Sequence, residues 1–262
     1  MTDSSSIRQA ADRIIKAYQT STPDAPVREF IDDGDIDGAY AVQEHVTDWR
    51  LDEGARLVGR KIGLTSVVVQ KQLGVDQPDY GMLFDDMAIP DGEEIPTSRV
   101  MQPRVEAEVA YVMEKDLKFD RPTNTEVISA IAYAVPAIEV VGSRVSNWDI
   151  TILDTVADNA SSGLFVLGND KVKVDGFDGR MCGMVVENRG DPVSVGAGAA
   201  CLGHPINAVR WLAEVMAQRG RPLSAGDIVM SGALGPMVPV TAGEVYEARI
   251  SGLGSVRAVF GA

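Results

Sequence analysis

From residue 56 to the C-terminus the chain is written in short β-branched runs broken by glycine: RLVGRKIGL, RVEAEVAYVME, YAVPAIEVVGS, SSGLFVLG, MCGMVVENRGDPVSV, GDIVMSGAL, GEVYEARISG and GSVRAVF. Runs of this kind, bounded by turn formers, read as strands. So many in one chain require sheets whose apolar faces are covered. ENRGDP and SGLGS carry the residues of hairpin turns. Helical spacing is confined to a few places. Ile7, Ala10, Ala11, Ile14, Ile15 and Tyr18 recur at three and four, which predicts a helix over 7–18. Ala39, Val42, His45, Val46 and Trp49 predict a second helix starting near Asp37, after the Pro-containing link TSTPDAPVREFIDDGD. Further helices are predicted near 123–132, near 149–158 and over HPINAVRWLAEVMAQRG, where Pro205 suits a first turn and Gly220 a C-terminal cap. The expected class is α+β, with a helical N-terminal region over 1–55 and a β-rich domain over 56–262.

Charge and composition narrow the function. Lys and Arg number 24 against 38 Asp and Glu, a formal charge of -14, so a polyphosphate partner is repelled over most of the surface. Aromatic residues are 6%, too few for a base-stacking surface. Nucleic acid is therefore not an expected partner. No apolar run approaches the roughly 18 residues of a membrane helix, and MTDSSSIRQAADR lacks the build of a signal peptide, so a cytoplasmic protein is expected. Cys182 and Cys201 have no CxxC spacing and read as buried reduced thiols.

The run QPRVEAEVAYV sets Glu106 and Glu108 two apart in a strand that is otherwise mostly small and apolar. Residues two apart on a strand share a face, so both carboxylates point one way while Val105, Ala107 and Val109 point the other. A solvated outer face is the ordinary explanation of such a pair. Against it stand the apolar flank through Val109, Tyr111 and Met113, and a third carboxylate, Glu139, alone in AVPAIEVVGS. An unpaired carboxylate in such a run costs several kcal/mol unless a cation, donor or proton compensates. Three carboxylates on neighbouring strands suit a hard divalent ion such as Mg²⁺ or Mn²⁺. Zinc fits poorly, because His45 and His204 lie far from these motifs in sequence.

Two upstream residues complete the candidate set. In VGRKIGLTS, Gly59 and Gly63 bracket Lys61, either a lysine snorkelling at a strand edge or an ammonium facing inward. In LGVDQPDYGML, the turn formers Pro78 and Gly81 surround Asp79, either a turn aspartate or a proton carrier beside the acidic cluster. Three carboxylates and a divalent ion leave a net charge of about -1, which a nearby lysine neutralises.

GRKIGLTS, LGVDQPDYGML, QPRVEAEVAYV, AIEVVGSR, DTVADNASSGLFVLG and GAGAACLGHPINAVRWLA resemble, in this order, the 2-hydroxypenta-2,4-dienoate hydratase (2-keto-4-pentenoate hydratase) family of the fumarylacetoacetate hydrolase superfamily. The resemblance runs from about Asp37 to the C-terminus. It implies a mixed β-roll core, an Mg²⁺ or Mn²⁺ ion on Glu106, Glu108 and Glu139, acid/base candidates in Lys61 and Asp79, a substrate contact at Ser161 in ADNASS, and a cytoplasmic homo-oligomer. It makes 56–262 the catalytic domain. It also implies a small 2-hydroxydienoate substrate and a pathway partner of the aldolase or decarboxylase kind. The glycine-rich VGAGAACLG departs from G-x-G-x-x-G and reads as close backbone packing.

The implied reaction adds water to 2-hydroxypenta-2,4-dienoate, or a close alkyl homologue, giving a 4-hydroxy-2-oxoalkanoate. A 4-oxalocrotonate decarboxylase is the alternative within the same superfamily; QPDYG, QPRVEAE and CGMVVE resemble the hydratase branch more. Hydration moves protons on and off carbon, a task that an extra carboxylate such as Asp79 serves. A fumarylacetoacetate-type hydrolase would need a His-centred acid/base group that no cage motif supplies. A non-catalytic acidic scaffold would have no reason to keep lone carboxylates in apolar strands.

Overall fold

The computed structural model describes residues 1–73 and 75–262; Gly74, within LGVDQPDYGML, lies outside the described residues. Two helices open the chain, α1 (Ser4–Thr20) and α2 (Ile36–Asp52), packed on one another. Asp3 caps α1 by accepting from the Ser5 and Ser6 amides, and Asp35 caps α2 by accepting from Gly38 N. The buried residues of α1 are Ala10, Ala11, Ile14 and Ala17; of the predicted stripe, Ile7, Ile15 and Tyr18 are half-buried at its margins. On α2 the stripe is Ala39, Val42 and Val46, and His45, expected among them, is exposed.

The β-rich part contains β1 (Leu57–Gly63), α3 (Val67–Leu73), β2 (Asp79–Phe84), β3 (Ala88–Pro90), β4 (Glu94–Ile95), β5 (Arg104–Met113), α4 (Asn124–Ala130), β6 (Ile131–Val141), α5 (Ile152–Ala157) and β7 (Leu164–Leu167). It continues through β8 (Gly183–Asn188), β9 (Asp191–Ala197), α6 (Pro205–Gln218), β10 (Ile228–Ala233), β11 (Val238–Pro239), β12 (Val245–Ile250) and β13 (Gly254–Phe260). One mixed sheet runs β2-β1-β10-β5-β6-β7-β3, with β11 paired to β5. Its β1/β10 and β3/β7 pairs are parallel, and its other pairs are antiparallel. A second sheet, β4-β13-β12-β8-β9, packs through β12 and β13 on β6 and β7. Helix α6 covers β1 and β10, while α5 bridges α2 to β2.

The expected hairpins form at β8/β9 and β12/β13; Arg189 and Gly190 take the positive φ that a tight turn requires. Three differences from the sequence reading have local causes. The helix expected over 123–132 ends at Ala130, because Ile131 is extended and starts β6. The QPDYGML segment, where turn formers flank Asp79, enters β2 at Asp79: Pro78 and Gly81 punctuate it, but Asp79–Phe84 are buried and paired with β1. Helix α3 has no amphipathic stripe to announce it, since Val67, Val68 and Val69 are consecutive and exposed. Cys182 and Cys201 are free and buried, as expected.

Candidate active site

Five adjacent strands each place a polar group toward one locality, and pairing register explains why. Glu106 on β5 stands opposite Glu139 on β6, and Glu108 opposite Ala137, so the three carboxylates share a face. Lys61 on β1 is opposed by Met230 on β10, which is opposed by Ala110 on β5; the period of two puts Lys61 on the face of Glu108. On the other side of β1, Lys61 pairs with Gly81, and Gly63 with Asp79. The glutamates therefore lie on inner strands. The solvated outer face is excluded.

The carboxylates converge. One oxygen from each of Glu106, Glu108 and Glu139 lies within 4.8 Å of the others, and no other group of three or more metal-competent side chains occurs among the described residues. Glu108 and Glu139 are fully buried, and Glu106 is half-buried. Lys61 Nζ lies 3.2 Å from Glu139 Oε1 and donates to Ala160 O at 2.9 Å. The Glu139 contact is an ion pair without hydrogen-bond alignment, so neither Glu139 oxygen accepts a hydrogen bond. Glu108 Oε2 accepts from Gly232 N at 2.8 Å, while its Oε1 has no partner. Lys61 is 3% exposed, which removes the snorkelling alternative.

Asp79 is no turn aspartate. It opens β2, is 1% exposed, and has no hydrogen bond to either carboxylate oxygen. Its space comes from Gly63: a Cβ there would stand 2.2 Å from Asp79 Oδ1 and 3.5 Å from Lys61 Nζ. The two groups thus meet over a position where any side chain would displace the Asp79 carboxyl. Ser161 lies in the turn whose Ala160 carbonyl holds Lys61, and its hydroxyl, like that of Ser162, is buried without a partner. All six residues singled out by sequence are on this side of the sheet.

Burial sets the charge states. It pushes Glu106 up to about 7, with the Glu139 charge adding to the effect. Burial drives Glu108 well above the carboxylate range, helped by Glu139 and Glu106. Glu139 and Asp79 are also raised by burial, with Lys61 opposing in each case. Burial alone would lower the Lys61 ammonium, but Glu139, Asp79, Glu106 and Glu108 outweigh it and raise the group instead. Three crowded carboxylates with partnerless oxygens and one lysine are an all-oxygen donor set short of positive charge. A hard divalent ion fits that set. Neither histidine takes part: His45 is exposed, and His204 caps α6, its Nδ1 accepting from Ile206 N at 3.1 Å.

Three participants escaped the sequence reading. Gly232 enters through its backbone N–H at a register shift in β10, which no side-chain pattern reveals. Asp158 and Arg144 form a fully buried ion pair beside the Ser161 turn. Their only sequence signal is two charges in otherwise small or apolar surroundings.

A curled mixed sheet presenting a convergent triad of acids, two of them buried and one half-buried, defines a recognisable class. The chain belongs to the fumarylacetoacetate hydrolase family: residues 41–260 match the family described as fumarylacetoacetate (FAA) hydrolase C-terminal. Among its relatives, it is 60% identical over 254 residues to the TodF product hydratase of Pseudomonas putida, covering 97% of this chain and 95% of that one. It is 54% identical over 252 residues to the 2-keto-4-pentenoate hydratase of Paraburkholderia xenovorans, covering 96% and 94%. The solved structure of 4-oxalocrotonate decarboxylase from Pseudomonas putida G7, complexed with magnesium and adipate, superposes with a TM-score of 0.94 at 35% identity over 99% of each chain. The mixed β-roll expected from the sequence is therefore the fold observed.

Proposed function

We propose that the chain is a divalent-cation-dependent hydratase that adds water to 2-hydroxypenta-2,4-dienoate, or a close alkyl homologue, to give a 4-hydroxy-2-oxoalkanoate. The observation that carries this reading is Asp79, a buried carboxyl with both oxygens free of hydrogen bonds, beside Lys61 and on the same side of the sheet as the acidic triad. The names of the two hydratase relatives support it.

Glu106, Glu108 and Glu139 would hold Mg²⁺ or Mn²⁺. The ion would supply Lewis-acid polarisation of the substrate's 2-oxygen. The chain's own residues do the rest. Lys61 presents its ammonium to the substrate carboxylate and to charge developing on the 2-oxygen, held in place by Ala160 O and Glu139. Hydration needs one proton delivered to C5 as the dienol hydroxyl loses its own, then water at C4 and a proton at C3. Asp79, a carboxyl raised by burial with Lys61 opposing and with both oxygens free of hydrogen bonds, is the group placed to move protons. The Ser161 hydroxyl, buried and unpaired, is a donor toward the substrate.

The finer attributes belong to the same proposal. The 1–55 helical region buttresses a catalytic domain over 56–262, the enzyme works in the cytoplasm as a homo-oligomer, and an aldolase or a decarboxylase is its pathway partner. No helix of the described residues is long and apolar enough to cross a membrane, which accords with that setting. Exposed Val67, Val68 and Val195 offer apolar surface for self-association.

The decarboxylase superposition favours 4-oxalocrotonate decarboxylation as the second reading. Parallel assays separate the two: loss of the dienol absorbance of 2-hydroxypenta-2,4-dienoate, and CO₂ release from 4-oxalocrotonate. Rapid dienoate consumption with formation of 4-hydroxy-2-oxopentanoate is expected. Turnover of 4-oxalocrotonate alone would overturn the hydratase reading.

A further inference from the structure

The turn after α5 is built against its own backbone preferences. Asn159, Ala160 and Ser161 take φ of 54°, 51° and 55° in succession, a left-handed run that non-glycine residues adopt rarely and singly. Such a conformation persists only when its surroundings over-determine it. One side of the frame is Arg144, whose guanidinium pairs with the Asp158 carboxylate and donates to Asp158 O at 2.7 Å and Ser162 O at 2.8 Å. Gly142 N donates to Ser161 O at 2.9 Å.

The other side is Asn159 itself. Strand β2 ends the large sheet, so beyond its pairing with β1 its outer edge lacks a strand. Asn159 takes that place: its Oδ1 accepts from Met82 N at 2.7 Å and its Nδ2 donates to Met82 O at 2.9 Å. The fit is close, since a Cβ on Gly81 would stand 2.2 Å from Asn159 O. The same strand carries Asp79, and the residue after Asn159 supplies the carbonyl that holds Lys61 Nζ. One side-chain amide therefore ties the strand of the proposed proton carrier to the anchor of the proposed ammonium.

We propose that Asn159 is a positioning residue, acting on Lys61 through the Ala160 carbonyl and keeping it in register with Asp79. The proposal rests on the reading of Lys61 given under Proposed function. Asn159 touches neither the acidic triad nor, by this account, the substrate.

The test compares the Mg²⁺-loaded parent with Asn159→Gly, which keeps the left-handed backbone accessible and removes only the tether. Steady-state kinetics with 2-hydroxypenta-2,4-dienoate are run beside acetic anhydride labelling of Lys61, read by peptide mass spectrometry. A fall in kcat of about 100-fold with KM little changed is expected, the size of effect that a misplacement of about 1 Å produces. Labelling of Lys61 is expected to rise several-fold, with the other lysines unaltered. Parent-like kcat overturns the proposal, and so does a fall in kcat with Lys61 labelling unchanged, which marks a merely structural role. If the parent fails to hydrate the dienoate, the functional reading falls, and the labelling comparison alone decides whether the tether holds Lys61. If Asn159→Gly does not fold, Asn159→Asp, which keeps the acceptor for Met82 N and loses the donor, takes its place; parent-like values of either readout again overturn the proposal.

Discussion

Glu106 and Glu139 face one another directly across the β5/β6 ladder, two like charges in a cross-strand pair on the inner part of a sheet. Such a pair is destabilising unless something positive lies between. With the cation removed by chelator and the pH held at about 8, where Glu106 is ionised, Glu106→Gln is therefore expected to be more stable than the parent by about 1 kcal/mol, a rise in melting temperature of about 2–4 °C. Saturating Mg²⁺ should reverse the order, because only the parent keeps the full donor set. Thermal unfolding in both conditions checks this. A variant less stable in chelator would mean that the pair is not frustrated.

The pH dependence has a definite sign. Glu106 is raised from 4.5 to about 7, so the folded cation-free protein keeps a proton that the unfolded chain releases above pH 4.5. This contribution to stability is present below that pH and is lost as pH rises through about 7. A divalent ion competes with the same proton, so its affinity should weaken as pH falls below about 7. Calorimetric titration at pH 6 in buffers of different ionisation enthalpy should reveal proton release. A binding enthalpy independent of buffer would contradict the assigned protonation.

Asp79 and the acidic triad separate by mutation. Asp79→Asn is expected to lower kcat by about 10²- to 10⁴-fold while leaving cation affinity near that of the parent. Gly63→Ala should mimic it, since the added methyl would fall 2.2 Å from Asp79 Oδ1. Kinetics paired with cation titration distinguish these from Glu108→Gln, which should lose both.

The acidic triad was legible because strand periodicity is strict: once 102–112 is a strand, Glu106 and Glu108 share a face, and a lone Glu139 in an apolar run demands a partner. Which strand neighbours which was not legible. That Lys61 reaches Glu139 depends on β10 inserting parallel to β1 from more than 150 residues downstream, a pairing that carries no local signal. The choice between a turn aspartate and a proton carrier at Asp79 stayed open for the same reason, since Pro78 and Gly81 are turn formers and only pairing with β1 makes the segment a strand. Gly81 is there because Asn159 packs against it, not because the chain turns. The Asn159 amide and the Arg144 guanidinium act on backbone atoms, and Gly232 acts on Glu108 through its own backbone N–H, none of which a residue pattern advertises.

Turnover of the dienoate is expected to depend on one divalent ion held jointly by Glu106, Glu108 and Glu139. The direct measurement titrates Mg²⁺ into chelator-treated protein while following both heat and the loss of dienol absorbance in the same preparation. One equivalent per chain should bind, hydration should rise in proportion to occupancy, and Glu106→Gln should lose both. Full turnover in the cation-free protein, or turnover that ignores occupancy, would contradict the account.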